Sequence, residues 1–124
     1  MRVSGWGQTG PYVMRPGFGT LIEALSGFAD MTGFPDKPPL LPPLALADMV
    51  AGLAGYGGVV TALLAREKGA AKGQIIDLSL FEPLHGILGP FSAEYVATGK
   101  TPERKGNSSA VAAPRGVYEC KDGK

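Results

Sequence analysis

Lys72-Gly73-Gln74-Ile75-Ile76-Asp77-Leu78-Ser79-Leu80-Phe81-Glu82 is the stretch whose reading decides the fold class. Gln74 to Leu80 follows a glycine turn and is rich in Ile and Leu. It reads as a β-strand whose inward residues are Ile75, the apolar neighbours of Asp77, and Leu80. Helical periodicity begins at Phe81 and precedes the turn at Lys68 to Gly73. One clear strand among helices cannot form a sheet by itself. The expectation is therefore a piece of a larger α/β protein, helix-rich with few strands.

Upstream, the spacing predicts a helix from about Asp48 to Lys68. Val50, Leu53, Ala54, Gly57, Val60 and Leu64 line one side, and Arg66, Glu67 and Lys68 close it in charge. Gly52, Gly55, Gly57 and Gly58 each cost roughly 1 kcal/mol there relative to alanine, so a closely packed second backbone is expected. Before it, Phe34 to Pro43 holds five prolines and excludes regular structure. Thr20 to Gly33 reads as a further helix with Leu21, Ile22, Leu25, Phe28 and Ala29 on one face. Thr20 and Glu23 have the spacing of a capping box. Residues 1–19 read as irregular loop continuing something upstream. Downstream, a helix is predicted over Phe81 to Ala97, with Pro83 in its first turn and Pro90 kinking or dividing it. Thr98 to Pro114 reads as polar loop. Arg115 to Cys120 is a strand candidate, stopped by the Asp122-Gly123 turn signal, after which a further strand is expected.

Composition narrows the function classes. The 124 residues are 44% apolar and 19% charged, with a formal net charge of +1. No basic or acidic block points to nucleic acid or an anionic membrane as partner. A single cysteine, Cys120, excludes an internal disulfide and a cysteine-rich zinc site. Met1 to Gly10 lacks the apolar core of a secretory signal. Gly at 19 and Pro at 11 residues are both over-represented, which argues for tight turns and close backbone packing.

Asp48 is the carboxylate of most interest, because it stands between a proline-rich apolar run and a glycine-laced helix. Near a positive helix end it is kept charged and able to act as a nucleophile. The alternative is an ordinary N-cap, for which Asp is a favoured residue. Met49 to Ala65 carries no charge. It falls just short of a membrane span, so a buried helix is expected. Glu82 and His85 form half of a di-metal motif, but His85 is the only histidine, and a satisfied histidine is expected instead of a metal ligand. Gly55-Tyr56-Gly57-Gly58 lies inside a helix, and Gly5-Trp6-Gly7-Gln8-Thr9-Gly10 is followed by Pro11-Tyr12 instead of a helix. Neither is a nucleotide fingerprint.

In order along the chain, the segments resemble one family, the class III CoA-transferases of CaiB/BaiF type. Ser4-Gly5-Trp6-Gly7-Gln8-Thr9-Gly10-Pro11-Tyr12 is similar to its S-G-F-G-x-x-G-P-Y segment. Arg15-Pro16-Gly17-Phe18, Ala24-Leu25-Ser26-Gly27, Thr32-Gly33-x-Pro35-Asp36 and Ala47-Asp48-Met49-x-Ala51-Gly52 follow, and 72–82 resembles G-x-G-Q-x-V-D-V-S-L-x-E. The resemblance implies a large Rossmann-like α/β domain joined to a smaller one, in a cytoplasmic, interlinked homodimer. Residues 1–114 would be the central part of the large domain and 115–124 the start of the link to the smaller one. It also implies transfer of CoA from an acyl-CoA thioester to a carboxylic acid, with no permanently bound cofactor and no metal. Asp48 would form first an aspartyl-acyl anhydride and then an aspartyl-CoA thioester. Arg15 and Phe18 would line the CoA or acyl channel. The position after Phe18, commonly acidic in the family, is Gly19 here. In the family's racemase branch the residue at position 18 is a proton-moving histidine, a role that Phe18 cannot take. A racemase or epimerase, and a catalytically silent fragment, are the alternative readings. Much of the family's CoA-binding surface lies N-terminal to the matching region, so this segment alone is expected to be inactive.

Overall fold

The computed structural model describes residues 1–109 and 111–123. Its elements run β1 (Arg2–Ser4), α1 (Gly19–Leu25), α2 (Phe28–Met31), α3 (Leu46–Glu67), β2 (Asp77–Ser79), α4 (Phe81–Ile87) and α5 (Phe91–Thr98). The α/β, helix-rich expectation holds, and the strand read at 74–80 is regular over its last part, β2.

β2 does have a partner within the described residues. Arg2, Val3 and Ser4 pair in parallel with Asp77, Leu78 and Ser79. The ladder is extended at either end by Arg2 N–H donating to Ile76 O and Leu80 N–H donating to Ser4 O, both at 2.8 Å. This corrects the reading of residues 1–19 as loop throughout. Three residues are too few for an alternation pattern, and β1 forms only because a distant strand meets it. Parallel strands require a long crossover, which here carries α1, α2 and α3.

The first predicted helix is two. Gly27 takes φ 94°, a left-handed turn that ends α1 and starts α2. Gly89, at φ 83°, stands with Pro90 in the break between α4 and α5, so the predicted 81–97 helix is divided as expected. Leu80 is the N-cap of α4, and Ser79, just before it, ties to the first turn: its Oγ accepts from Glu82 N–H at 3.0 Å and donates to Glu82 Oε2 at 2.7 Å. The strand candidate at 115–120 does not form. Only an isolated antiparallel bridge, Ser108 to Gly116, is present there. The Asp122-Gly123 turn is present, with Gly123 N–H donating to Cys120 O at 2.9 Å.

The core is small. Ile22, Ala47, Ala51, Leu80 and Leu84 are buried together, and Trp6, Phe28, Leu46, Val50, Leu78 and Phe81 pack around them. It joins α1, the first two turns of α3, β2 and α4. Close backbone packing occurs where the N-terminal loop crosses itself: a Cβ on Gly5 would lie 2.7 Å from the Gly17 Cα. Trp6 fastens the same crossing, donating from Nε1 to Pro16 O at 3.1 Å.

α3 departs from its expected surroundings. Gly55 meets the Leu78 and Met1 side chains, whereas Gly52 and Gly57 face open space. Its buried residues are Ala47, Ala51 and Gly55, all toward its N-terminal half. Leu53, Tyr56, Val60, Leu63 and Leu64 are exposed. The helix is long and apolar enough to cross a membrane by length and composition, and only 17% of that window is buried within the described chain. The expected burial of 49–65 is therefore not met inside this segment.

Candidate functional site around Asp48

Asp48 does not cap α3. The N-cap is Ala45, and Asp48 occupies the third helical position, in the first turn. That removes the ordinary capping reading and leaves the carboxylate without a helix-starting duty. The ion pairs among the described residues join Lys37 to Asp36, Arg104 to Asp30 and Lys105 to Glu103, and none involves Asp48. The side chain is exposed. At the positive end of a 22-residue helix, a negative charge is favoured by about 0.3–1 kcal/mol.

The carboxylate faces a cleft of about 460 Å³ whose walls include Phe18, Gly19, Glu23 and the proline-rich strap Leu41–Ala45. Three local causes build it. The Trp6 clamp on Pro16 holds the loop that leads to Phe18. α1 then starts at Gly19, with Phe18 as its N-cap in extended geometry. The prolines of the strap keep the chain extended before α3 begins. Phe18 and Asp48 thus line the same cleft. Arg15 is not among the cleft residues: its guanidinium lies 4.2 Å from the Tyr12 ring centroid, a cation–π contact outside the cleft.

Gly19, already marked by the sequence as a departure from the family pattern, lies against Asp48, and Glu23 is the part that sequence reasoning missed. A Cβ at position 19 would stand 2.7 Å from Asp48 Oδ2 and 4.0 Å from Glu23 Oε1. The missing side chain is therefore the space that the Asp48 carboxylate uses. Glu23, only 3% exposed, does not make the capping box expected with Thr20, because Thr20 lies inside α1. Its Oε1 instead accepts from the Ala47 N–H at 3.3 Å, the residue before Asp48. Nothing in the sequence marked this bond, since the same Glu23 also satisfied a local capping pattern.

A larger cleft, about 1070 Å³, lies elsewhere, lined by residues of α2 and α5 and by residues of 99–109 and 111–117. Size alone does not assign chemistry: Glu94 and Glu103 line that cleft, whereas the smaller one has the Asp48 carboxylate, on the first turn of the long helix α3. His85 is satisfied as expected: its Nδ1 is 3.2 Å from Ser26 O, its Nε2 is 3.0 Å from Ser92 Oγ, and its ring stacks on Phe81.

A parallel β-pair spanned by helices, with a carboxylate on the first turn of the longest one that forms no ion pair among the described residues, defines an α/β chain with a candidate nucleophile. The chain belongs to CoA-transferase family III, whose model matches residues 1–124. It is 42% identical over 125 residues to the succinyl-CoA–L-malate CoA-transferase alpha subunit of Chloroflexus aurantiacus, covering 100% of this chain and 29% of that protein. It is 39% identical over 120 residues to the acetyl-CoA:oxalate CoA-transferase of Acetobacter aceti, covering 96% of this chain and 31% of that protein. The crystal structure of a CaiB/BaiF family protein from Brucella suis superposes with a TM-score of 0.84 at 36% identity, over 98% of this chain and 32% of that one. The chain thus spans about a third or less of the length of these relatives.

Proposed function

We propose that this segment supplies the acyl-accepting carboxylate, Asp48, of an enzyme that moves CoA between an acyl-CoA thioester and a carboxylic acid. The observation that carries the reading is the exposed Asp48 carboxylate, unpaired with any cation among the described residues, facing a cleft beside the first turn of α3. Family membership and relatives named for transfer between acyl-CoA and dicarboxylic acids support it.

The steps balance without an oxidant or reductant. An Asp48 oxygen attacks the thioester carbonyl, the C–S bond breaks, and CoA leaves as thiolate, giving a mixed anhydride. The thiolate then attacks the Asp48 carbonyl carbon and expels the donor acid as its carboxylate, leaving an aspartyl-CoA thioester. The acceptor carboxylate attacks that thioester to form a new anhydride and release the thiolate again. Finally the thiolate attacks the acceptor's acyl carbon, and Asp48 is regenerated as a carboxylate. A carboxylate suits this sequence because the anhydride retains the reactivity of the thioester. The exposed setting of Asp48 leaves room for both partners in turn, and Phe18 offers an apolar wall to the acyl chain.

The acceptor and donor belong to classes handled by the relatives, short acyl-CoA esters and small dicarboxylic acids. Residues 1–114 are assigned to the large domain and 115–124 to the start of its link. The assembly is an interlinked homodimer in the cytoplasm, and transfer belongs to the protein in which this segment joins the remaining length seen in relatives. The test is CoA transfer by the full-length protein from succinyl-CoA or acetyl-CoA to a panel of dicarboxylates. Asp48→Asn should lower turnover by at least about 10³-fold, as loss of a covalent nucleophile does. Exchange of the substrate's α-hydrogen with deuterated water, with no transfer, would point to the racemase alternative.

A further inference from the structure

Glu23 is the one buried carboxyl beside the Asp48 cleft, and the chemistry above does not use it. It sits on α1 one turn after Gly19, is 3% exposed, and reaches across to α3. Its Oε1 accepts the Ala47 N–H at 3.3 Å. Ala47 is itself fully buried and immediately precedes Asp48. The first N–H groups of a helix have no partner inside it, and a side-chain acceptor from another helix fixes where that helix begins. The point a Cβ at position 19 would occupy is 4.0 Å from this acceptor and 2.7 Å from Asp48 Oδ2. α1 thus meets the start of α3 with one acceptor and one gap.

We propose that Glu23 is a positioning residue for Asp48: by accepting the Ala47 N–H it sets the first turn of α3 so that the neighbouring carboxylate projects over Gly19 into the cleft. The role belongs to the acceptor oxygen and not to the charge. Glutamine, whose carbonyl oxygen can take the same N–H, therefore substitutes for it. Methionine, similar in shape and without a comparable acceptor, does not. Misplacing a reacting group by about 1 Å costs on the order of 100-fold in rate, and Glu23, 3% exposed, presents little surface to the cleft that it helps to wall. Its loss consequently falls on kcat and spares KM. The inference rests on Asp48 being the nucleophile.

The experiment uses the full-length protein with succinyl-CoA or acetyl-CoA as donor. Glu23→Gln and Glu23→Met are compared with wild type in kcat, in KM, and in the rate of covalent labelling at Asp48. Glu23→Gln should keep kcat within about threefold, while Glu23→Met loses about 10- to 100-fold. KM should stay nearly constant in both, and the labelling rate should follow kcat. Equal loss in the two variants would overturn the proposal by making the charge the active property. Wild-type rates in Glu23→Met would overturn it by removing any role. A Glu23→Met protein that does not fold would overturn it as well, making Glu23 a determinant of the fold instead. If wild type itself is never labelled at Asp48, both this inference and the Asp48 reading fall. Labelling of wild type and of Glu23→Met at equal rates sinks this inference alone.

Discussion

Gly19 and Asp48 share one small volume, and that sharing sets up a test in which stability and chemistry part company. Position 19 begins α1 with a backbone that alanine can adopt, since its φ is not positive. Replacing glycine there should stabilise by about 0.4–1 kcal/mol through the unfolded chain. The new methyl would fall 2.7 Å from Asp48 Oδ2, the far end of a side chain that can turn away. Gly19→Ala should therefore keep or slightly raise the melting temperature while lowering turnover about tenfold or more. Thermal unfolding and kinetics on the same sample check it, and unchanged turnover would show that the gap has no role. At this scale the sequence singled out Asp48 and Phe18, because a resemblance points to positions, and both line one cleft. It did not show Arg15 on the Tyr12 ring, a contact that depends on a loop conformation, and it hid Glu23, whose bond joins residues 24 apart on different helices.

At the scale of elements, the breaks matter more than the lengths. α1 and α2 are separated by Gly27 at φ 94°, and a Cβ there would meet nothing within 4 Å. The cost of Gly27→Ala is then backbone strain alone, about 1–2 kcal/mol. Chemical denaturation should show that loss with an unchanged m-value, and an unaltered midpoint would contradict the left-handed turn. Periodicity alone carried Leu21 to Ala29 through this break, because the apolar residues of α1 and α2 fit one helical face. Pro90, by contrast, was readable as a divider: a ring and a missing N–H are properties of the residue itself. β1 and the lost strand at 115–120 are the reverse pair. Arg2–Ser4 has little strand character and gains a partner, while Arg115–Cys120 has more and gains only one bridge. Strand formation rests on distant pairing that local sequence does not contain.

For the whole molecule, the exposed apolar face of α3 is the feature that a third of a relative's length leaves open. Leu53 is 75% exposed here, with Tyr56, Val60, Leu63 and Leu64 beside it. Our account has this face covered by protein in the full-length enzyme, not by lipid. The full-length protein should then stay in solution without detergent, and Leu53→Asp should destabilise it by about 1–3 kcal/mol, the cost of burying an unmatched polar group. Partition into vesicles, with no effect of Leu53→Asp on unfolding, would favour a membrane surface. The lack of charge in 49–65 was plain in the sequence, but what covers it is a tertiary matter, which is why burial was expected and not found within this segment.

The most direct test of the central claim is covalent capture at Asp48. The full-length protein is incubated with succinyl-CoA or acetyl-CoA, treated with hydroxylamine or borohydride, and mapped by mass spectrometry. Our account predicts modification at Asp48 that depends on the donor and disappears in Asp48→Asn. A folded protein that binds CoA yet carries no modification at Asp48 with any donor would contradict it.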